Sequence, residues 1–404
     1  MNKIEKLIAG LCPDAVSHIS LGEITNECKE RNKTQSISEV RSVTNSAGLV
    51  STDDYFENTR TSQDTSNYKI VHQGMFVYNP SRINVGSIAQ HKETITVIVS
   101  PMYVVVGIDK SKLIPEYLEL FLSSRRGKFQ ILSKVEVGAR FRLSYKAFSL
   151  IKLPLPPLAI QQEIVKILGT FTTLKAEMAA ELEARKKQYE YYRDGLLTFG
   201  DEVEWKKLET LCVIGDGLHG TPKYNDLGGY YFINGNNLSA GKINFDSKTK
   251  KVDDITYEKY GITFTVEDTV LMSINGTIGN VSLFSKEKIV LGKSVAYFNI
   301  TSENLQKKYL FYFLQTNYAK KYYKAKQTGA TIKNLGLKAL RQFQIPIPSL
   351  PEQERIVAIL DKFDALVNDI SVGLPAELNA RRKQYEYYRD QLLPFKPLRK
   401  EDAK

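Results

Sequence analysis

Two glycine-rich segments have residue types that could bind a nucleotide. Residues 215–220 read Gly-Asp-Gly-Leu-His-Gly and match the G-x-G-x-x-G pattern of dinucleotide-binding loops. Such a loop must lie between a strand and a helix, whereas Thr221-Pro222 and Gly228-Gly229 follow here and break any helix. These glycines instead indicate a sharp turn or a backbone that approaches a ligand closely. Gly292-Lys293-Ser294 ends like a P-loop, but Glu287 stands where the first glycine is required, so nucleotide binding is not predicted.

Asp14, Glu27 and Lys29 form a loose acid, acid and lysine pattern that could hold a metal ion in a nuclease. The second half of the chain repeats the acidic start at Asp201 without a Glu-x-Lys, and such short patterns arise often by chance. The three cysteines form no Cys-x-x-Cys pair and the four histidines are scattered, which argues against a disulfide framework and a zinc site. We therefore predict no catalytic residues, no metal site and no cofactor in this chain.

The elements that must position any site occur in two copies. Residues 185–194 read RKKQYEYYRD and residues 381–390 read RRKQYEYYRD. Upstream, Leu153–Leu158 (LPLPPL) corresponds to Ile345–Leu350 (IPIPSL) at an offset of 192 residues. After Phe363 the second copy has four extra residues, so the later block has an offset of 196. Copies of about 190 residues are too long for a solenoid unit, so each is predicted to be a globular domain followed by a helix.

Apolar residues spaced three and four positions apart indicate the helical part of each copy. In the first copy this pattern covers Ala159–Leu197 and is close to the 3.5-residue period of a coiled coil. At 1.5 Å per residue the helix would be roughly 58 Å long. The same stripe recurs in the second copy, where we expect Gly373 and Pro375 to kink or interrupt the helix. Two equivalent helices in one chain should pair, and pseudo-twofold symmetry makes them antiparallel.

The predicted fold class is α+β, with two globular domains of mixed sheet and helices joined by two long helices that form an antiparallel coiled coil. The predicted boundaries are 1–152 for the first domain, 153–199 for its helix, 200–344 for the second domain, 345–396 for its helix and 397–404 for a tail. Strand-like runs are Ile95–Val99, Val104–Ile108, Tyr230–Ile233 and Thr269–Ile274, and further helices are expected at Pro115–Leu132 and Leu305–Ala325.

The excess positive charge lies on the two domains and not on the helices. Of the net charge of +11, residues 1–152 carry +5 and residues 200–344 carry +6, while both helical segments are neutral. Residues 307–344 contain nine basic side chains and no acid, and the matching stretch 125–152 contains eight against Glu136 alone. Because this cluster recurs at the same place in both copies, it indicates a surface that binds a polyanion.

No apolar run approaches the ~18 residues that a membrane span needs, and the N-terminus MNKIEKLIAG lacks a signal-peptide core. We therefore expect a cytoplasmic protein with no membrane association.

The repeated blocks resemble those of a known family. RKKQYEYYRDGLLTF (Arg185–Phe199) and RRKQYEYYRDQLLPF (Arg381–Phe395), each preceded by a proline-rich segment, closely resemble sequences in the specificity subunits of type I restriction–modification systems. The resemblance covers the whole order of domain, helix, domain and helix. Gly217–Tyr224 (GLHGTPKY) also looks like a loop of some target-recognition domains in that family. The first domain lacks this loop, so the two domains should read different sequences.

The resemblance implies a non-catalytic reader of double-stranded DNA. Each target-recognition domain would grip one half of a split, asymmetric site, and the paired helices would set the distance between the halves. The helices would also dock two methylation subunits, which restriction subunits join. S-adenosylmethionine, ATP and magnesium would belong to those partner subunits. For subunit docking we expect Tyr189, Tyr192, Arg193, Tyr385, Tyr388 and Arg389.

Candidate DNA contacts are polar, basic or aromatic side chains in or near the basic clusters and the glycine- and asparagine-rich loops. Lysine and arginine contact phosphates, and arginine, asparagine and glutamine can also read base edges. In the first domain we predict Tyr78, Asn79, Arg82, Arg140, Arg142 and Lys146. In the second domain we predict His219, Thr221, Lys223, Tyr224, Asn275, Thr277, Lys326, Thr328, Lys333 and Asn334.

Two other functions stay open on the sequence alone. A coiled-coil scaffold whose globular domains bind acidic proteins would show no salt-sensitive binding to duplex DNA. A nuclease that uses Asp14, Glu27 and Lys29 would cleave DNA with magnesium as an isolated chain, and Glu27→Ala would abolish the cleavage.

Overall fold

The computed structural model describes residue 10 and residues 16–45, 47–52, 64–136, 142–368 and 373–395. The chain divides into two compact units, one formed by residues 1–176 and 380–404 and the other by residues 177–379. Each unit therefore contains one globular domain together with segments of two different long helices.

Most of the described elements follow one another in the same order in the two copies, but the second copy has an additional two-stranded ribbon and helix and lacks one edge strand of the first. In the first copy they are β1 (His18–Ser20), β2 (Thr25–Cys28), β3 (Val40–Val43), β4 (Leu49–Ser51), β5 (Lys69–Val71), β6 (Phe76–Tyr78), β7 (Ile88–Gln90), β8 (Val97–Val99), β9 (Val104–Ile108), α1 (Pro115–Ser123), α2 (Arg125–Lys134), α3 (Tyr145–Ser149), β10 (Lys152–Pro154) and α4 (Leu158–Leu196). In the second copy they are β11 (Trp205–Lys207), β12 (Cys212–Asp216), β13 (Tyr230–Ile233), β14 (Leu238–Ser239), β15 (Lys242–Ile243), β16 (Lys251–Val252), α5 (Asp254–Tyr260), β17 (Thr269–Ser273), β18 (Val281–Leu283), β19 (Ile289–Leu291), β20 (Val295–Ile300), α6 (Lys307–Phe313), α7 (Asn317–Lys326), α8 (Leu337–Gln342), β21 (Gln344–Pro346), α9 (Leu350–Asn368) and α10 (Leu374–Leu392).

The two domains share one sheet topology, which confirms the α+β class and the internal repeat. The antiparallel sheet β2-β9-β6-β7 corresponds to β12-β20-β17-β18. A second sheet, β4-β3-β8-β5, corresponds to β16-β13-β19, and each contains one parallel pair, β3 with β8 or β13 with β19. A two-stranded ribbon, β1-β10 or β11-β21, brings the start of each domain beside its end.

One strand in each antiparallel sheet is buried on both faces. In β6, Phe76 and Tyr78 face one hydrophobic cluster and Val77 faces another. In β17, Val270 and Met272 face one cluster and Leu271 faces the next. Since successive side chains of a strand point to opposite faces, continuous apolar runs produce this two-sided burial.

A buried glutamine joins each domain to the helix that follows it. The Gln161 Oε1 accepts the backbone N–H of Ile114 at 2.9 Å, and its Nε2 donates to the carbonyls of Pro156 and Lys112. Gln353 makes the same three bonds, from the Gln306 N–H and to the carbonyls of Pro348 and Asn304. Both glutamines are fully buried, and unpaired polar groups there would be costly. The angle at which each helix leaves its domain is therefore specified by hydrogen bonds and not by apolar packing alone.

Helix segments pair within each unit through equivalent contacts. In one unit the ring of Phe171 stacks on Tyr388 at 5.5 Å, and in the other Phe363 stacks on Tyr192 at 5.4 Å. Tyr385 lies beside Thr172 and Tyr388 lies beside Phe171. Residue numbers therefore increase along one helix segment where they decrease along the other. This pairing within each unit is antiparallel, as expected; a continuous coiled coil stays a prediction.

Several predicted bounds are corrected. Pro115–Leu132 is two helices, because Ser124 adopts an extended conformation and its side chain accepts the Gly127 N–H to begin α2. Leu305–Ala325 is likewise two helices, since Thr316 begins α7 in the same way. A serine or threonine that caps a new first turn overrides an apolar run that reads as continuous.

The remaining bounds are close to those predicted. The strand predicted at Ile95–Val99 is shorter, Val97–Val99, and the one predicted at Thr269–Ile274 ends at Ser273. The strands Val104–Ile108 and Tyr230–Ile233 are confirmed, and α4 lies within one residue of its predicted ends at both termini. Around Gly373 and Pro375 the predicted second helix is divided into α9 and α10, with 369–372 outside the described residues. Among the helices of the described residues, none is long and apolar enough to cross a membrane.

The buried glutamine generates a stability prediction. Gln161→Leu leaves the Ile114 N–H and two carbonyls without their partner, and we expect the free energy of unfolding to fall on the order of 2 kcal/mol. Gln162→Leu is the matched control, since that side chain is exposed and its replacement should change stability by less than about 0.5 kcal/mol. Urea unfolding followed by circular dichroism measures both, and equal effects of the two variants would contradict the role of the joint.

Candidate nucleic-acid interface

The loops that follow four strands of the second domain emerge at one edge. Asp216 of β12 and Ser273 of β17 lie opposite the first residues of β20. β13 runs parallel to β19, with Ile233 opposite Leu291, so these two strands end together. The Ser294 carbonyl accepts the Ile274 N–H, and the Ser294 hydroxyl accepts the Gly235 N–H, which ties the two sheets together here. We call residues 217–220, 234–237, 274–280, 292–294 and 328–334 the second loop edge.

A short hairpin forms the basic part of the second loop edge. Thr328 and Asn334 exchange backbone hydrogen bonds of 2.8 Å across its base. The Lys333 carbonyl accepts the Gly276 N–H at 2.9 Å, and Asn275 forms a bridge with Asn334. The structure therefore brings together the predicted residues Asn275, Thr277, Lys326, Thr328, Lys333 and Asn334. The Lys333 side chain is exposed and its backbone holds the hairpin to the next loop.

The glycine-rich loop begins at the same edge. Gly217 packs so closely on the Leu291 carbonyl that a Cβ would lie 2.1 Å from its oxygen, so only glycine fits. The requirement for glycine at position 217 therefore comes from a backbone contact within the domain. His219 is exposed and its Nε2 lies 2.8 Å from the Asp216 carboxylate, which orients the ring at the start of the loop.

The rest of that predicted loop leads away from the hairpin. Asn225 donates its N–H to the Lys251 carbonyl in β16, and the Tyr224 ring lies edge-on to Phe232 at 5.8 Å. Thr221 and Lys223 are exposed on the way. The loop with Thr221, Lys223 and Tyr224 thus lies along the second sheet, away from the hairpin.

The first domain has an equivalent edge. β2 and β6 end opposite the start of β9, and Glu136 and Arg142 pair as Thr328 and Asn334 do, at an offset of 192. The Leu143 N–H donates to the Pro80 carbonyl, just as Leu335 donates to Ile274. We call residues 79–84, 100–103, 136 and 142–146 the first loop edge. It brings together the predicted residues Asn79, Arg82, Arg142 and Lys146, of which Arg82, Arg142 and Lys146 are exposed.

Two of the DNA contacts predicted in the first domain, Tyr78 and Arg140, are not among the residues of the first loop edge. Tyr78 has no exposed surface, since it ends the doubly buried β6 and stacks on Phe148 at 5.4 Å. Burial raises the pKa of Tyr78 well above its ordinary value, and the prediction that it touches DNA does not fit this placement. Arg140 lies outside the described residues.

The predicted docking residues divide into buried and exposed groups. Arg193 is 3% exposed; it pairs with Asp194 and lies 5.5 Å from the Tyr189 ring, which is also buried. Arg389 repeats this arrangement with Asp390 and Tyr385, which are all half-buried. Tyr192 and Tyr388 stay exposed on one side while they stack within their units. The resemblance also implies Tyr191 and Tyr387 as helix-pair or partner contacts, and they are the most exposed tyrosines of the two blocks, at 76% and 62%.

Sequence reasoning missed Lys293 at the second loop edge. Its N–H donates to the Leu218 carbonyl, while the side chain is exposed beside Ser294. The signal was present in Gly292-Lys293-Ser294, a basic residue beside a glycine, which was weighed only as a nucleotide motif.

The described residues give the nuclease alternative no structural support. Glu27 and Lys29 form a salt bridge of 3.3 Å with each other, and Asp14 lies outside the described residues. Over the residues that the structure describes, no group of three or more histidine, cysteine, aspartate or glutamate side chains could hold a metal ion.

Two domains of similar topology, each with exposed basic side chains at one loop edge, define a class of protein with an internal domain repeat. The sequence matches the family model for the type I restriction modification DNA specificity domain twice, at residues 16–184 and 201–380. It is 35% identical to the specificity subunit of the type I restriction enzymes EcoR124I and EcoR124II of Escherichia coli, over 73% of this chain and 74% of that protein.

A solved structure has a similar fold. Its chain comes from a study of complex assembly and conformational transition in a type I R-M system, with a TM-score of 0.58, 17% identity and coverage of 94% of this chain and 98% of that one. The chain described here belongs to the family of type I restriction–modification DNA specificity proteins.

The buried hydroxyl of Tyr78 generates a second prediction. This oxygen has no hydrogen-bond partner among the described residues, so Tyr78→Phe should raise the free energy of unfolding by roughly 1 kcal/mol. The control is Tyr117→Phe, which removes a 3.0 Å bond to the Pro154 carbonyl and should lower stability by about 1 kcal/mol. Urea unfolding compares the two, and a loss of stability in both variants would show that Tyr78 has a partner.

Proposed function

We propose that this chain is the DNA-reading subunit of a type I restriction–modification complex and directs the methylation and restriction subunits to a bipartite, asymmetric site. The observation that carries the proposal is the recurrence of one basic loop edge in two domains of one topology. Family membership supports it independently. Basic side chains at each edge would contact phosphates and supply salt-dependent affinity, and loop side chains would contact base edges.

Each domain is proposed to read its own half of the site, within the boundaries 1–152 and 200–344. The backbone pairs Glu136–Arg142 and Thr328–Asn334 enclose sequences of equal length but different residues, EVGARFR at 136–142 and TGATIKN at 328–334. The glycine-rich loop at 217–224 occurs only in the second domain. Different residues between equivalent backbone pairs favour two different half-sites.

The long helices are proposed to set the distance between the half-sites. α4 has 39 residues, which corresponds to roughly 58 Å of continuous helix. The neutral balance of the helical segments, six basic against six acidic residues in 153–199, fits a spacer that does not itself attract DNA.

Partner subunits are proposed to dock on the outer faces of the repeated blocks. Tyr191 and Tyr387 present large exposed rings there, next to the partly exposed Tyr192 and Tyr388. Aromatic side chains of this kind are enriched in protein interfaces. The buried Tyr189 and Arg193 would act in docking only by supporting these exposed rings. S-adenosylmethionine, ATP and magnesium are proposed to bind the partner subunits, which supply the chemistry.

The basic hairpin generates a prediction for DNA binding. Lys333→Gln removes one exposed charge but keeps the backbone bond to Gly276, so affinity should fall for all sequences and the slope of log Kd against log salt should decrease by about one. Fluorescence anisotropy of the complex with its methylation subunits on a duplex measures both.

Lys286→Gln is the matched control for this prediction. Lys286 is exposed in the turn between β18 and β19, at the opposite end of the sheet from the hairpin. We expect no change in the salt slope for this variant. If neither variant alters the slope and wild-type binding is insensitive to salt, the scaffold alternative takes precedence.

The half-site assignment is tested by co-expression with the methylation subunits and genome-wide mapping of methylated adenines. A bipartite motif should appear only when this chain is present, and exchange of residues 1–152 for those of a relative should change one half alone. Methylation that is unchanged in a stable complex would contradict the proposal.

A further inference from the structure

An aspartate closes each repeated block and contacts the first residue of a helix in the domain of its own unit. Both carboxylate oxygens of Asp194 lie 3.3 Å from the backbone nitrogen of Asn317, the first residue of α7. Asp390 Oδ1 lies 3.4 Å from the backbone nitrogen of Arg125, the first residue of α2. The first N–H groups of a helix have no partner within it, and a negative charge there is favourable. The same contact thus occurs twice, at equivalent positions.

An arginine orients each of these carboxylates. The Arg193 guanidinium donates to Asp194 Oδ1 at 3.1 and 3.2 Å, and Arg389 Nε donates to Asp390 Oδ1 at 3.2 Å. Each guanidinium also lies against a tyrosine ring of its own helix, Tyr189 or Tyr385, at 5.5 and 5.7 Å. Tyrosine, arginine and aspartate thus form a preorganised group in which the arginine has little freedom to release the carboxylate.

The helix that receives the aspartate leads directly to the hairpin of the loop edge. α7 ends at Lys326 and the hairpin 328–334 begins two residues later. α2 ends at Lys134, and Glu136, which pairs with Arg142 at the first loop edge, follows at the same spacing. The position and order of the first helical turn therefore bear on the position of the loop edge.

The aspartate that reaches each domain belongs to the other copy in the sequence. Asp194 lies at the end of the first copy but contacts the second domain, and Asp390 ends the second copy but contacts the first domain. We propose that Asp194 and Asp390 are crossed positioning residues, each of which fixes the loop edge of the domain encoded by the opposite copy to the long helices. This inference rests on the proposed function for its effect on DNA, but not for the crossed contact itself.

The contact is tested by hydrogen–deuterium exchange on the full chain without DNA. In Asp194→Ala, the amides at 317–320 should exchange on the order of twofold to fivefold faster, while those at 125–128 are unchanged. Asp390→Ala should give the reverse pattern. Asp194→Asn keeps an acceptor without the charge and should give a smaller effect. Equal acceleration in both helices, in the helix of the same copy, or in neither would overturn the proposal.

The positioning role is tested in the complex with the methylation subunits. The halves of the methylated motif are first assigned to the domains by exchange of residues 1–152. Asp194→Ala should then relax discrimination in the half read by the second domain by about twofold to fivefold, and Asp390→Ala in the half read by the first. A general loss of stability would weaken both halves together, so a crossed effect on one half distinguishes positioning from folding.

Glu183→Ala is the control on the same helix, because that carboxylate pairs with Lys186 of its own helix. It should change neither exchange at 317–320 nor half-site discrimination. If the wild-type complex methylates no bipartite motif, the proposed function fails while the exchange experiment still decides the crossed contact. If the exchange pattern is crossed but discrimination changes in the wrong half or in both halves, the positioning role is overturned.

Discussion

The structure depends on a buried glutamine at the end of each domain. The chain must turn there from a proline-rich strand into a long helix, and the prolines cannot supply the N–H groups that would hold the turn. Gln161 and Gln353 replace those bonds by joining the helix start to the proline-rich segment after the strand and to the loop before α1 or α6. Tyr117 and Tyr309 add the same 3.0 Å bond to the last proline of the strand. Because these hydrogen bonds are directional, each helix leaves its own domain in the same way.

Much of this architecture is predictable from sequence, because helical periodicity and internal repetition are strong signals. The stripe over Ala159–Leu197 predicts α4 to within one residue, and the offset of 192 identifies equivalent elements from about Pro115 to Phe171. The break at Ser124 is not predictable in the same way, since one hydroxyl cap competes there with a continuous apolar run. The burial of Tyr78 could not be predicted from the residues around it, since the polar Asn79, Ser81 and Arg82 follow it. Only the second hydrophobic cluster, on the far side of β6, reveals that the strand is buried on both faces.

The hairpins could be predicted as basic regions but not as a geometric site. Lys333 and Asn275 are 58 positions apart in sequence, and backbone bonds such as the one from Gly276 to the Lys333 carbonyl bring their loops together. Thr221 and Tyr224 lie elsewhere, because their loop leaves β12 and runs beside β16. Residues close to the glycine-rich motif in sequence therefore do not all lie near the hairpin, because strand order determines which loops meet.

The contrast between repeated helices and divergent hairpins has a physical basis. The blocks RKKQYEYYRD and RRKQYEYYRD contact the same two kinds of group in their units, a phenylalanine ring and the start of a helix. Each block also contains its own tyrosine–arginine pair. Substitution within the blocks is therefore restricted by several contacts. The loop edges are held by backbone bonds between positions 136 and 142, and 328 and 334, which any side chains can make. One fold can thus keep the geometry of its helices while the side chains at its loop edges change. A protein that must present two different DNA-reading surfaces at a fixed separation needs this division between side-chain-specified joints and backbone-specified loops.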